Sequence, residues 1–466
     1  MAERHTTDLS EIIEQQKLTP FIVRLVMLSW IVTFFDGFDV SVLSFVAPDL
    51  SAALHINRLT LGNVFGAGQA GMVLGGFLFG YLGDRIGRRL SIILATASFG
   101  ALSLAIAFSG SYATLLGLRF VEGIAMGGLF PLAWALNIEY VPRRYRSTVV
   151  TLIMVGYSIG SSSAGPLTIL LTPRYGWRSL FVVGGSFAIV GTGLLLLLLP
   201  ESLRFLAINN KRPALTQAYA RHLAPDRVIS ATDRFVISDE GRTSGKEFSV
   251  SMLFRNELRW ITPLMWLAYA ASSMAVFFGS SWGPTILQMV GFSRSTAALT
   301  ASVNVLAGAI GGLLLMRFVD RRGATSIAIF PGFAIPILLA MAFSGIGGRG
   351  FLVLYFFGSM CVIGAHYGLM GIAGIFYPSA YRSNGTGWTS SVGKIGSIVG
   401  PMLGGVALSS HMPVKAVFAM LAVCPLVVAA CVLMIGRLQR RLARSDDAQR
   451  WAGPGGLLPS ELPAHE

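Results

Sequence analysis

Apolar runs long enough to cross a bilayer, about 20 residues each, recur twelve times along this chain. They cover roughly 21–46, 59–82, 89–109, 113–138, 147–170 and 178–199, then 260–287, 295–318, 325–345, 350–375, 384–408 and 414–436. A soluble fold cannot accommodate them. Charged residues make up 12% of the sequence, half of the roughly 25% of an ordinary soluble domain. With 53% hydrophobic residues and a mean hydropathy of +0.66, an all-α membrane protein of twelve transmembrane helices is expected. Continuous apolarity excludes a transmembrane barrel, whose strands alternate. The 54 glycines suit helices that pack closely in lipid.

The charges sit between the runs. Their balance is +14, but they cluster in GDRIGRR (83–89), PRRYRS (142–147), DRRG (320–323) and the tail RLQRRLARSDDAQR. The opposite loops carry single charges such as Arg58, Arg294 and Arg349. The positive-inside rule then puts both termini in the cytoplasm, and no nucleic-acid partner is implied. Residues 1–20 are polar, and the first run is too long for a signal core, so no cleaved leader is expected. Cys361, Cys424 and Cys431 fall in apolar runs and read as packing residues, not as a disulfide framework.

The order of segments predicts a cytoplasmic N-terminus (1–20), a six-helix bundle (21–200), a solvated cytoplasmic linker with some helix (201–258), a second six-helix bundle (259–437) and a basic cytoplasmic tail (438–466). The two bundles are a repeat. Asp84-Arg85-Ile86-Gly87 returns 236 positions on as Asp320-Arg321-Arg322-Gly323, Pro142 through Ser147 returns in the same register at Pro378 through Ser383, and Gly160 maps onto Gly396. Two parallel halves of this kind are a transporter architecture, with cargo bound between them near the membrane midplane.

These residues resemble the major facilitator superfamily over nearly the whole chain, above all in Gly80-x-x-x-Asp84-Arg85-x-Gly87-Arg88-Arg89. Within it the sequence is similar to the aromatic acid:proton symporters. DGFD (36–39), RFVEGIAMGGLFP (119–131), EYVPRRYRS (139–147), GWRS (176–179), PESLRF (200–205) and YRSNGTGW (381–388) carry that resemblance. It implies inward transport of benzoate-type carboxylates with protons. The sequence departs from the pattern at Glu122, at Leu132 after Pro131 and at Lys394 in GKIG.

Ionisable residues inside a membrane helix are costly and mark function or pairing. Asp36 and Asp39 are three apart and share a helix face. They form either a buried structural pair or a proton site, since a carboxyl group kept from bulk water can load and release a proton near neutrality. Arg119 and Glu122 have the same spacing, so a local ion pair is the alternative to a ligand clamp. On the predicted boundaries all four groups lie about 10–15 Å below the outer end of their helices, at 1.5 Å per residue, and can meet in one layer. An arginine there can grip a carboxylate through two hydrogen bonds. Protonation of Asp36, Asp39 or Glu122 would free Arg119 for the cargo.

Lys394 is the candidate for a second contact to an anion, with a snorkelling or backbone-paired lysine as the alternative. Tyr157, Trp282, Trp388, His366 and Tyr367 are candidates for an aromatic wall, against the plainer role of packing or belt residues. At the cytoplasmic mouth, Asp84, Arg85, Arg88, Glu139 and Arg146 are gating candidates, with Asp320, Arg321 and Glu201 for the second half. Topology signals or a solvated face are the alternative there.

The predicted function is a proton-coupled secondary transporter importing a small organic anion of hydroxybenzoate type by alternating access. Muconate-, lactone- or dicarboxylate-type cargo and a metabolite exporter on the same fold remain alternatives. No catalytic, nucleotide or metal motif occurs in the sequence, so no enzyme, cofactor or metal is expected. A monomer in the bacterial inner membrane completes the reading.

Overall fold

The computed structural model describes residues 6–16, 19–209, 213–223, 234–236, 249–255, 258–322, 324–343, 345, 348–377, 382–410 and 412–451. A strand β1 (Thr6–Asp8) and a short helix α1 (Leu9–Gln15) come first. The N-terminal half follows as α2 (Pro20–Leu54), α3 (Arg58–Ile86), α4 (Arg88–Ala107), α5 (Tyr112–Gly127) continued past Gly128 by α6 (Leu129–Tyr140), α7 (Arg143–Tyr175) and α8 (Arg178–Leu198). Then come α9 (Leu203–Asn209), α10 (Pro213–Leu223) and β2 (Arg234–Val236). The second half holds α11 (Leu258–Met289), α12 (Arg294–Arg322), α13 (Ile329–Phe343), α14 (Gly348–Phe376), α15 (Arg382–Ser409) and α16 (Val414–Trp451). Among the described residues twelve helices are long and apolar enough to span a membrane, with α5 and α6 counted as one. The chain is a multi-pass membrane protein.

Several helices overrun the apolar runs. α2 begins at a Thr19 N-cap with Pro20 in its first turn and ends at Leu54, where His55 turns left-handed. Hydropathy ends the run at Val46, but Pro48 does not stop the helix. Asp36 therefore lies near the middle of α2, about 24 Å from its start at 1.5 Å per residue, and deeper than the run's boundary implied. The outward faces stay apolar: Leu197, Phe77 and Val190 are exposed, as a lipid-facing surface requires.

The repeat is visible in the packing. α2 crosses α7 where Gly160 meets the Phe34 carbonyl, and α11 crosses α15 where Gly396 meets the Ala270 carbonyl. Both pairs are 236 positions apart. A Cβ at either glycine would collide with backbone, so only glycine permits these crossings.

The two halves touch through α2 with α11, α3 with α15, and α7 with α12. At the end opposite the termini this contact is tight. Gly62 lies against Gly405, a Cβ on Gly165 would meet Ser302, and Arg58 donates to the Leu408 carbonyl at 3.1 Å. Toward the other end, Gly80 on α3 and Gly387 on α15 have open space around them. The halves are thus closed at the end opposite the termini.

Within the 201–258 segment, the described helices α9 and α10 are packed more closely than a solvated linker. Leu203, Ala220 and Leu223 are buried in the core beneath the N-terminal half, together with Leu9 and Ile12 of α1. β1 pairs in parallel with β2, which holds the N-terminus to the segment. Polar composition alone concealed the buried stripe of α9 and α10.

Candidate functional site

The charged layer forms where α2 meets α5. Arg119 donates one nitrogen to Asp39 Oδ2 at 2.8 Å and to Glu122 Oε2, and its guanidinium lies over the Phe181 ring at 5.6 Å. All three charged side chains are buried, Glu122 completely. A Cβ on Gly123 would meet the Gly68 carbonyl, so α3 lies tight against α5 at the same level. The second oxygen of Glu122 and one oxygen of Asp36 have no hydrogen-bond partner among the described residues. Beside the triad is a cavity of about 30 Å³, bounded across the interface by Phe277, Ser280 and Ser281. That is room for water, since about 150 Å³ admits a benzene.

A second layer lies between the halves. Lys394 on α15 points its ammonium at Gly76 on α3, 3.4 Å from where a Cβ would stand, and lies within electrostatic reach of Asp36. Glycine at 76 leaves the lysine room to cross. Tyr157 packs on Phe130 with ring centres 5.3 Å apart and also feels Asp36. Tyr367 approaches Ser158 across the interface. His366 shares a 3.1 Å hydrogen bond with Ser272, and its ring faces those of Tyr269 and Tyr367. Four of the residues picked from sequence, Asp36, Lys394, Tyr157 and Tyr367, thus meet along one interface, and His366 adjoins them through Tyr367.

Two do not join them. Trp282 is fully buried, donates to the Pro401 carbonyl at 2.8 Å and packs edge-on to Phe65, all near the closed end. Trp388 is 39% exposed and stacks on Trp266. Their contacts are those of packing residues.

At the termini end, Arg88 pairs with Glu139, which also accepts from Ser202. Arg89 donates its backbone to Glu201 at 3.0 Å and its side chain to the Leu199 carbonyl at 2.8 Å. These contacts staple the N-terminal half internally. Arg146 lies 3.9 Å from Glu14 of α1. Asp84 and Arg85 are exposed; Arg85 rests over the Tyr81 ring, and Asp84 has no ion-pair partner among the described residues. The side chains of Asp320 and Arg321 lie outside the described residues.

Sequence reading missed a bridge. Arg294 on α12 grips Asp49 on α2 with both nitrogens, one at 3.0 Å, and joins the halves at the closed end. The repeat held a signal, because Arg294 is the counterpart of Arg58, which also crosses between halves.

Residues 29–392 match the model of the Major Facilitator Superfamily. The chain belongs to that family. A gallate transporter of Pseudomonas putida is 30% identical over 93% of this chain and 96% of its own length. The 4-hydroxybenzoate transporter PcaK of Pseudomonas aeruginosa is 31% identical over 92% and 96%. The resemblance to the superfamily's aromatic acid:proton symporters, drawn from DGFD and RFVEGIAMGGLFP, thus holds over more than 90% of the chain. A bacterial homolog of the human lysosomal transporter Spinster, solved inward-facing and occupied, has a TM-score of 0.68 at 15% identity, covering 91% of this chain and 98% of that one. It shares the major facilitator fold.

Proposed function

We propose that this major facilitator protein imports a small aromatic acid of hydroxybenzoate type together with a proton. It works as a monomer in the bacterial cytoplasmic membrane, with both termini inside, and its halves rock about the buried interface. The names of its sequence relatives support the class of cargo.

The observation that carries proton coupling is a charge count. The interface holds three carboxyl groups, Asp36, Asp39 and Glu122, against two cations, Arg119 and Lys394. One carboxyl group is left over. A buried charge without a partner is strongly unfavourable, so one proton neutralises the set. With Glu122 protonated, Arg119 keeps a single ionised partner and can offer its remaining donors to an arriving carboxylate. Lys394 and the Tyr157–Tyr367 pair line the same interface, and receive the cargo's ring and charge there as the halves separate. The cavity beside the triad is smaller than a benzoate, so the anion reaches Arg119 only as the helices rearrange.

The test is uptake of labelled 4-hydroxybenzoate into proteoliposomes under an imposed pH gradient. Accumulation that collapses with a protonophore is expected. Accumulation that ignores the pH gradient, or follows only a sodium gradient, refutes the coupling.

A further inference from the structure

A second cavity, of about 70 Å³, lies among the helices of the C-terminal half, lined by α11, α12, α13, α14 and α16 and by α2 from the opposite half. It is the repeat counterpart of the cavity beside the charged triad: shifting its lining by 236 positions recovers 13 of the 15 residues that line the smaller cavity. Asp39 becomes Ala275, Glu122 becomes Gly358, Arg119 becomes Tyr355 and Gly68 becomes Asn304. Ser41 and Ser44 close this cavity from the opposite half, as Phe277 and Ser280 close its twin.

The chemistry of the two has diverged. Every charge of the first is replaced by a neutral group in the second, and the truncation at Ala275 and Gly358 accompanies a larger volume. Asn304 lines the cavity and is 4% exposed. The Tyr355 hydroxyl lies beside it, yet neither amide atom of Asn304 completes a hydrogen bond among the described residues. A buried primary amide without partners is uncommon in folded proteins. It offers both donors and an acceptor.

We propose that this cavity is the subsite for an uncharged hydrogen-bonding end of the cargo, a hydroxyl on the aromatic ring, read by Asn304 and Tyr355. The proposal rests on the aromatic-acid reading and deepens it. A carboxylate is unsuited to the site, because no cation lines it. A phenol suits it, being at once donor and acceptor. The volume is under half of the roughly 150 Å³ that admits a benzene, so the cavity takes one edge of a ring. Ser280 lines both cavities, so they adjoin at α11. A cargo lying across that helix reaches Arg119 with its carboxylate and Asn304 with its hydroxyl once the halves move.

The experiment compares uptake of benzoate with that of 3- and 4-hydroxybenzoate, as ratios of kcat/KM within one preparation. In Asn304→Leu and Tyr355→Phe the ratio of the preferred hydroxybenzoate to benzoate should fall, by about tenfold for Asn304→Leu, the effect of one lost hydrogen bond. A ratio that stays at the wild-type value in both variants overturns the proposal, as does loss of all uptake in both, the mark of a purely structural role. Wild-type protein that carries none of the three acids refutes the cargo assignment itself.

Discussion

Arg294 and Asp49 join two helices from opposite halves, with the guanidinium facing the carboxylate through both of its nitrogens. The pair is partly exposed, at 38% and 28% of its side-chain surfaces, so its net strength is of the order of 1 kcal/mol or less. A transporter needs such a closure to be breakable in every cycle. Arg294→Lys loses the two-pronged geometry and should shift the conformational population by up to about fivefold toward opening at that end. Spin-label distances between Ala53 and Ser410 would report it; an unchanged distribution counts against this role.

The charge count gives a second prediction. In wild-type protein, uptake should fall as external pH rises, because the driving proton becomes scarce. Glu122→Gln makes the buried set neutral at every pH, so the slope should vanish and gradient-driven accumulation should drop at least tenfold. Uptake that keeps its full pH slope in this variant removes Glu122 from the coupling.

Removing the cation has a different effect. Arg119→Ala leaves Asp39 and Glu122 buried without their partner, at a cost of about 3–5 kcal/mol. Thermal unfolding in detergent should show a clear loss of stability, partly recovered when Glu122→Gln is added. A double variant no more stable than Arg119→Ala contradicts the triad's geometry.

Backbone contact at the helix crossings is testable through glycine. Gly160→Ala sets a methyl group against the Phe34 carbonyl, whereas Gly193→Ala meets open space. The first should destabilise by about 1–3 kcal/mol; the second should be nearly neutral. Equal yields of folded protein from both variants would count against the crossing.

Asp84 is exposed and unpaired among the described residues in this conformation. Asp84→Asn should therefore leave the unfolding temperature unchanged while slowing uptake, if Asp84 forms its contacts only when the termini end closes. Full uptake in this variant would end the gating role.

Much of this protein was legible in the sequence because the bilayer enforces local rules. Each span must be apolar over its own length, loop charges obey topology, and a duplicated unit repeats in register. Asp36, Asp39, Arg119, Glu122 and Lys394 stood out for the same reason, as charges where lipid tolerates none. Partner choice is not local. Arg119 and Asp39 are 80 positions apart, and Arg294 and Asp49 are 245 apart, so only the packed helices decided that one arginine serves two acids and another spans the halves. Tertiary structure likewise withdrew Trp282 and Trp388 into packing contacts and brought Asn304, an ordinary polar residue in sequence, to a cavity wall. Hydropathy fixes which segments enter the membrane, but the direction each side chain faces depends on how the helices cross.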